Sequence, residues 1–276
     1  MFNNPYVAKI LEFSDIAFAG DRVPLNKNHW NGYFLKNMGK APQKIVLEVG
    51  CSNGQFLNDI AKESQDFAFI GIDWKYKLVY KAAEKSKKVS NTNVAFLRTV
   101  AEKMDDFLAE KEINEAWLFF PDPWAKASQQ KHRVFQEPFL KNLQKVLSDD
   151  GRIYVKTDHP GYFAWMLSYF GIDISAEIQD DSHLKLQDES EESKSRKGRQ
   201  VLHRTYNNKD LPETSKFAVE NFEVLQWSVN FWRDRDSLLK PFAEKDVPAF
   251  FNKSTLFEKL FQKDNLPVYY LALRKR

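Results

Sequence analysis

The alternation of apolar strands and amphipathic helices between residues 44 and 169 constrains this fold more than any other feature. Short apolar runs predict buried strands, and longer segments with apolar residues at helical spacing predict helices. Strands are predicted at 45–49, 67–72, 93–97, 116–120 and 152–156, and helices at 55–62, 76–88, 101–110, 135–147 and 161–169. Because a helix follows each strand, the strands should lie parallel in one sheet with helices on both faces.

The segments outside this core are less regular. Residues 222–227 and 267–273 predict two more strands, completing a seven-stranded, mostly parallel, doubly wound α/β sheet, and residues 251–261 look helical. Residues 1–43 have no strong hydrophobic period and are interpreted as an N-terminal extension that either packs over the mouth of the domain or is partly mobile, with a short helix at 10–18. Residues 178–213 place an acidic run beside a basic run, which is typical of a charged, disordered insertion. A basic arm that touches nucleic acid is the alternative interpretation of that insertion.

Composition excludes several classes of protein. A single cysteine cannot form an internal disulfide framework, and it fits a reducing compartment. The N-terminus has no basic segment followed by a long apolar one, as a signal peptide would. No run approaches the roughly 20 apolar residues of a membrane span. We therefore expect a cytoplasmic protein that is not in a membrane.

The turn after the first predicted strand is the first candidate site. Gly50 and Gly54 allow the backbone to turn sharply and approach a ligand at the start of a helix. Their G-x-x-x-G spacing differs from the dinucleotide fingerprint, and Glu48 would repel a pyrophosphate. This acid favours a cofactor with an amine and a sulfonium, S-adenosylmethionine, and Asp73 after the next strand is placed to accept ribose hydroxyls. Cys51 in the same turn is interpreted as a small packing residue, because no histidine lies nearby in sequence.

A second candidate site is the sequence Pro121-Asp122-Pro123-Trp124, where the fourth predicted strand ends. Two prolines fix φ on either side of one acid and remove two backbone donors. In a doubly wound sheet this strand lies beside the first one, at the point where the strand order reverses. Asp122 would then face the transferable group of the cofactor. A stiff acid beside a large aromatic ring suits recognition of a flat polar ring.

Residues 119–133 resemble the signature of the bacterial tRNA (guanine-N7-)-methyltransferase family. The resemblance extends from about residue 44 to residue 169 and resumes at the C-terminus. It implies a class I, Rossmann-like methyltransferase domain over residues 44–276, with S-adenosylmethionine as the methyl donor. The implied acceptor is N7 of the variable-loop guanine at tRNA position 46. The implied partner is tRNA, with no membrane and no metal, and the protein would be a monomer or a homodimer.

The resemblance also implies roles for individual residues. Asp122 takes the position of the catalytic acid. The cofactor-binding positions are Glu48, Gly50, Gly54, Asp73 and Val100, and the substrate-binding positions are Lys126, Asp158, Thr255, Leu256, Phe257 and Glu258. Val100 departs from the family, which has an aspartate there against the adenine, so we expect the backbone or Glu102 to make that contact.

The basic residues that follow Trp124 are the expected contacts to tRNA phosphates. Lys126, Lys131 and Arg133 remain where the family is rich in cations, whereas Ser128 and Gln129 stand in positions that are often basic. Binding through such contacts should weaken as salt is added.

Three alternative functions compete with this interpretation. The first is a methyltransferase of another planar nitrogen, in protein glutamine or DNA adenine, since such enzymes place an Asn or Asp beside prolines and an aromatic residue. The second is a non-catalytic RNA-binding module on the same fold. The third is a nicotinamide dehydrogenase, which the glycine spacing disfavours.

Overall fold

A computed structural model of the chain describes residues 4–125, 127–179, 211–243, 246–264 and 266–276. Lys126 lies outside the described residues, as do residues 180–210, which make up most of the predicted insertion. The role expected of Lys126 and the character expected of the insertion therefore stay predictions.

The described residues form an eight-stranded sheet. Its strands are β1 (Ala17–Ala19), β2 (Lys44–Val49), β3 (Phe67–Asp73), β4 (Val94–Arg98), β5 (Ile113–Phe119), β6 (Leu147–Thr157), β7 (Phe222–Ser228) and β8 (Tyr269–Lys275). The spatial order is β1-β4-β3-β2-β5-β6-β8-β7. The first six strands in that order pair in parallel, and β8 pairs antiparallel with both β6 and β7. The predicted mostly parallel, doubly wound sheet is confirmed.

Helices cover both faces of the sheet. They are α1 (Tyr6–Lys9), α2 (Trp30–Met38), α3 (Gln55–Glu63), α4 (Tyr76–Lys88), α5 (Met104–Phe107), α6 (Glu137–Val146), α7 (Pro160–Ser168), α8 (Ser175–Gln179), α9 (Lys216–Asn221), α10 (Phe231–Leu239) and α11 (Leu256–Lys263). Successive side chains of a strand point to opposite faces. In β2, Ile45 and Leu47 accordingly join one hydrophobic cluster and Val46 joins the other. The sheet is therefore buried on both sides, which explains why its strands are continuous apolar runs.

The strand count corrects the sequence-based expectation of seven, because the N-terminal segment adds β1 at the sheet edge. A helix was expected over residues 10–18, but only Ile10–Phe13 is helical, and Ala17–Ala19 pairs in parallel with β4. A three-residue edge strand is too short to show the two-residue period of a strand. Trp30 in α2 is fully buried, and its indole Nε1 donates to the carbonyl of Phe107 at 2.8 Å. The N-terminal segment thus packs into the fold.

Over the part of the chain that the structure describes, no helix is both long enough and apolar enough to cross a membrane.

Candidate active site

Four strand ends place the predicted acids along one edge of the sheet. The strands β3, β2, β5 and β6 are neighbours in that order and run parallel, so their carboxyl ends meet at the same edge. Asp73 ends β3, Glu48 is the penultimate residue of β2, and Asp122 and Asp158 follow β5 and β6. Adjacent strands lie about 4.8 Å apart, so these acids share a crevice. The strand order reverses between β2 and β5, which is where open α/β sheets bind their ligands.

The turn after β2 is built from left-handed backbone. Gly50 has a φ of 82°, Ser52 one of 52° and Gly54 one of 64°. The amides of Gly50 and Cys51 both donate to the carbonyl of Ile72, at 2.9 and 3.0 Å, which fixes the turn against the end of β3. Gly54 precedes the first residue of α3, so the turn leads directly into a helix beside the crevice.

Glu48 is a buried carboxyl group with spare hydrogen-bonding capacity. The side chain is only 5% exposed, and its Oε2 has no hydrogen-bond partner among the described residues. Burial raises the pKa of Glu48 to about 8, because the charged form loses its hydration. Burying a carboxyl oxygen without a hydrogen-bond partner destabilises the fold unless a ligand supplies that partner. This geometry fits a cationic group placed above the turn.

Asp73 is held in position by the start of the following segment. Its Oδ1 accepts a hydrogen bond from the backbone amide of Lys75 at 2.8 Å. Burial raises the pKa of Asp73, while the contacts from Lys75 and Ser52 oppose the rise and the nearby charge of Asp122 adds to it. Asp122 and Asp73 are therefore within electrostatic reach of each other, as two groups facing one crevice should be.

Cys51 packs beneath this turn. It is 6% exposed, and its pKa is raised well above the ordinary value by burial first and by the neighbouring charges of Glu48 and Asp73 second. A thiol kept protonated in this way is a poor nucleophile. The environment matches the packing role predicted for it.

The loop after β5 is strained on both sides of its exposed acid. Phe120 has a φ of 53° and Trp124 one of 45°, values that bulky side chains rarely adopt. The amide of Phe120 donates to the carbonyl of Lys156 at 2.7 Å, which ties the loop entrance to β6. Asp122 is exposed, whereas Pro123 is buried. Strain of this kind persists only where the surroundings enforce it, and it concentrates at functional sites.

The C-terminal Thr-Leu-Phe-Glu sequence divides between the surface and the interior. Leu256 and Phe257 are 67% and 49% exposed, and the ring of Phe257 lies 5.8 Å from that of Phe120. Thr255 and Glu258 point inward and cap α11 reciprocally, since each side chain accepts from the other residue's backbone amide. The remaining oxygen of Glu258 accepts from Lys156 Nζ at 2.7 Å. Both carboxylate oxygens of Glu258 thus serve the fold here, and its substrate role stays a prediction.

The other predicted positions lie around the same edge. Asp158 is half-buried directly after β6. Val100 is 37% exposed after β4 and lines a surface pocket together with Thr99 and Lys103. Sequence reasoning assigned no role to Lys156, although a lysine inside an apolar strand signals an internal partner. Within the described ranges, no group of three or more His, Cys, Asp or Glu residues is arranged to hold a metal ion.

The antiparallel β8 inserted between β6 and β7, the switch point between β2 and β5, and the Gly-rich turn that follows the buried acid of β2 define a class I methyltransferase fold. A family model described as "Methyltransf_4: Putative methyltransferase" matches residues 42–210, more than half of the chain. A tRNA (guanine-N(7)-)-methyltransferase of Bacillus velezensis is 33% identical over 62% of this chain and 76% of its own length. The chain belongs to the tRNA (guanine-N7-)-methyltransferase family.

Two other relatives are matched over a smaller share of their own length. A tRNA (guanine-N(7)-)-methyltransferase of Christiangramia forsetii is 37% identical over 50% of this chain and 60% of its own. A bifunctional glycosyltransferase/methyltransferase of Fusobacterium nucleatum is 38% identical over 58% of this chain and 24% of its own. The chain therefore spans less than two thirds of both proteins.

The two glycines of the turn should respond differently to alanine. A Cβ on Gly54 would lie 2.5 Å from Cβ of Ala82, in addition to the strain of a positive φ, whereas a Cβ on Gly50 would meet nothing within 4 Å. We expect Gly54→Ala to lower the free energy of unfolding by about 3 kcal/mol and Gly50→Ala by about 1 kcal/mol. Urea unfolding of the two variants measures the difference, and equal losses would contradict the close packing of α3 on α4.

The raised pKa of Glu48 makes stability depend on pH. The folded state keeps a proton on Glu48 up to a pH of about 8, whereas the unfolded chain loses it near pH 4.5. Between these values the folded state binds more protons, so the free energy of unfolding should fall as the pH rises, by about 2–3 kcal/mol from pH 6 to pH 9. Glu48→Gln should remove this part of the slope in urea unfolding without cofactor. The control Glu110→Gln, at an exposed position, should follow the wild type, and a Glu48→Gln slope equal to the wild-type slope would contradict the assignment.

Proposed function

We propose that this protein transfers the methyl group of S-adenosylmethionine to N7 of the variable-loop guanine at position 46 of tRNA. The observation that carries the proposal is the juxtaposition of two features at the switch point. Glu48, a buried carboxyl group with an oxygen unpartnered by any described residue, lies beneath one side of the crevice, and the strained loop that exposes Asp122 forms the other. Such an arrangement suits a cationic cofactor on one side and a planar base on the other.

The residues present fit the cofactor. The unpartnered Oε2 of Glu48 would accept from its amino group, which would also draw the proton from this carboxyl. Asp73 would accept from the ribose hydroxyls. The open space beside Gly50 leaves room for close approach of the cofactor, and Gly54 allows the tight packing of α3 on α4 that shapes the turn. Val100 would border the adenine through its backbone. When bound, S-adenosylmethionine supplies an electrophilic methyl group.

Asp122 would orient the guanine and stabilise charge, not act as a base. Guanine N7 carries an in-plane lone pair and no proton, so its attack on a methyl group releases none. Rate acceleration then rests on alignment of the reacting atoms and on electrostatics. The carboxylate of Asp122 can accept from the N1–H and the 2-amino group of guanine and can stabilise the cationic product. Asp158, after the adjacent strand, would share the contact to the base edge.

Access to a base inside folded tRNA requires local opening of the stack. The exposed Leu256 and Phe257 lie beside the loop of Asp122 and offer an apolar surface to the opened region, with Thr255 fixing the start of their helix. Lys126 and Lys131 would contact phosphates, so tRNA binding should weaken with salt.

The test is incubation of the protein with labelled S-adenosylmethionine and unmodified tRNA transcripts, followed by mapping of the methylated base. Label at N7 of guanine 46, absent from a transcript with adenine at that position, is the expected result. Parallel reactions with DNA and with a glutamine-containing protein test the alternative that the methyl acceptor is a nitrogen of adenine in DNA or of glutamine in protein. Binding of tRNA without transfer to any guanine would favour the non-catalytic RNA-binding module and overturn the proposal.

A further inference from the structure

Arg133 is buried at the base of the Asp122 loop. The residue is only 5% exposed, although the sequence suggested that it contacts phosphate. Its guanidinium carbon lies 4.9 Å from the ring centroid of Tyr162 and 4.6 Å from that of Trp165. Its Nε donates to the backbone carbonyl of Pro123 at 2.8 Å. These contacts place the cation in the interior, where a phosphate of a large RNA does not reach.

The partners of Arg133 belong to two different parts of the site. Pro123 is the residue after Asp122, whereas Tyr162 and Trp165 belong to α7, which begins two residues after Asp158. That helix is itself fixed at its start, because the backbone amide of Tyr162 donates to Nδ1 of His159 at 3.0 Å. Arg133 therefore joins the loop of one acid to the helix that follows the other.

Two prolines limit the ways in which the backbone around Asp122 can be held. Pro121 and Pro123 have no N–H to donate, so the described hydrogen bond at Pro123 is one that its carbonyl accepts. The positive φ values of Phe120 and Trp124 mean that a relaxed loop would adopt another path. Removing the donor at Nε would release the side of the loop that carries Asp122.

We propose that Arg133 is a positioning residue that sets the spacing between Asp122 and Asp158, and thereby the fit of the guanine edge. The inference rests on the proposed function, because it assigns these two acids to one base. A planar guanidinium stacks between two rings and donates from a defined edge, and a lysine ammonium does neither in the same way. Arg133 thus acts through Asp122 and does not itself touch the substrate.

The first test compares Arg133→Lys with Lys131→Gln, which changes an exposed cation two residues away. For Arg133→Lys we expect kcat on tRNA to fall roughly 10- to 100-fold, because a small misplacement of reacting groups lowers the rate by about this factor. Cofactor affinity should be unchanged. The KM for tRNA and its salt dependence should stay near the wild-type values. Lys131→Gln should show the reverse. Its KM for tRNA should increase, the slope of log affinity against log salt concentration should be smaller by about 1, and kcat should change little. Lys145→Gln, exposed on α6, serves as the neutral control.

The second test measures directly how well the enzyme recognises the 2-amino group of guanine. Inosine lacks the 2-amino group of guanine, so tRNA with inosine at position 46 measures the contacts to that edge. The wild type should prefer guanine, and both Arg133→Lys and Trp165→Leu should reduce this preference several-fold in kcat/KM. Lower stability alone reduces the amount of folded enzyme but leaves the guanine-to-inosine ratio unchanged. Thermal unfolding of each variant provides that comparison.

The outcomes distinguish a failure of the proposed function from a failure of the role given to Arg133. Wild-type protein that methylates no tRNA guanine would overturn the proposed function and this inference with it. Active wild type together with an unchanged kcat and an unchanged guanine-to-inosine ratio in both variants would overturn the inference alone. So would an Arg133→Lys defect confined to KM with a reduced salt slope, because that is the behaviour of a phosphate contact.

Discussion

Asp122→Asn should lower kcat for tRNA methylation roughly 100- to 1,000-fold, because one acceptor and the negative charge are lost together. Asparagine keeps the size of the side chain and one acceptor oxygen, but it cannot accept from both N–H groups of the guanine edge. It also cannot stabilise the positive charge that develops on the purine. The side chain is exposed at the tip of the strained loop, so the substitution should leave the fold intact.

Single-turnover rates with saturating tRNA and cofactor measure this effect, and a separate titration measures the affinity for the cofactor. Cofactor affinity should not fall, because Asp122 is a like charge near Asp73 and raises the pKa of that residue. Asp149→Asn is the matched control, since this exposed aspartate pairs with Lys111 away from the crevice. Near-normal turnover of Asp122→Asn would rule out Asp122 as the catalytic acid.

The core of the fold was predictable because each of its strands carries a local signal. The runs that became β2, β3 and β5 are continuous and apolar, and each is followed by a segment of clear helical period. The elements that sequence reasoning missed lack such a signal. The edge strand β1 is three residues long, and α10 carries Arg and Asp along much of its length. The boundary drawn at residue 43 stays a prediction, and β1 shows that the sheet draws on residues before it.

The positions of the candidate site residues were predictable, but their surroundings were not. Glu48, Asp73 and Asp122 follow from strand ends and turn chemistry, which are properties of short sequences. The burial of Arg133 depends on Tyr162 and Trp165, about thirty residues further on. From the sequence alone, a cation after the Asp122 loop is equally well interpreted as a phosphate contact. Long-range partners of this kind become visible only once the helices are packed.

The pair formed by Lys156 and Glu258 is the second place where a large effect is expected. Both side chains are fully buried, and Lys156 Nζ also lies 3.9 Å from the ring centroid of Phe231 and 4.7 Å from that of Phe250. Burial lowers the pKa of Lys156, and the ion pair with Glu258 opposes that change. Lys156→Met would leave the Glu258 carboxylate buried without its cation, and we expect a loss of about 3–5 kcal/mol in the free energy of unfolding.

A second substitution distinguishes a structural Glu258 from a substrate-binding one. Glu258→Gln removes the charge, yet glutamine can still accept from the backbone amide of Thr255 and so preserve the helix cap. In the double variant Lys156→Met/Glu258→Gln we therefore expect most of the lost stability to return, measured by urea unfolding of both singles and the double. If Glu258 serves only the packing of α11 against the loop entrance, this double variant should keep kcat within a few-fold of the wild type. A stable double variant with a kcat as low as that of Asp122→Asn, beside a Lys156→Met single variant that keeps its kcat, would instead assign the loss to the Glu258 carboxylate.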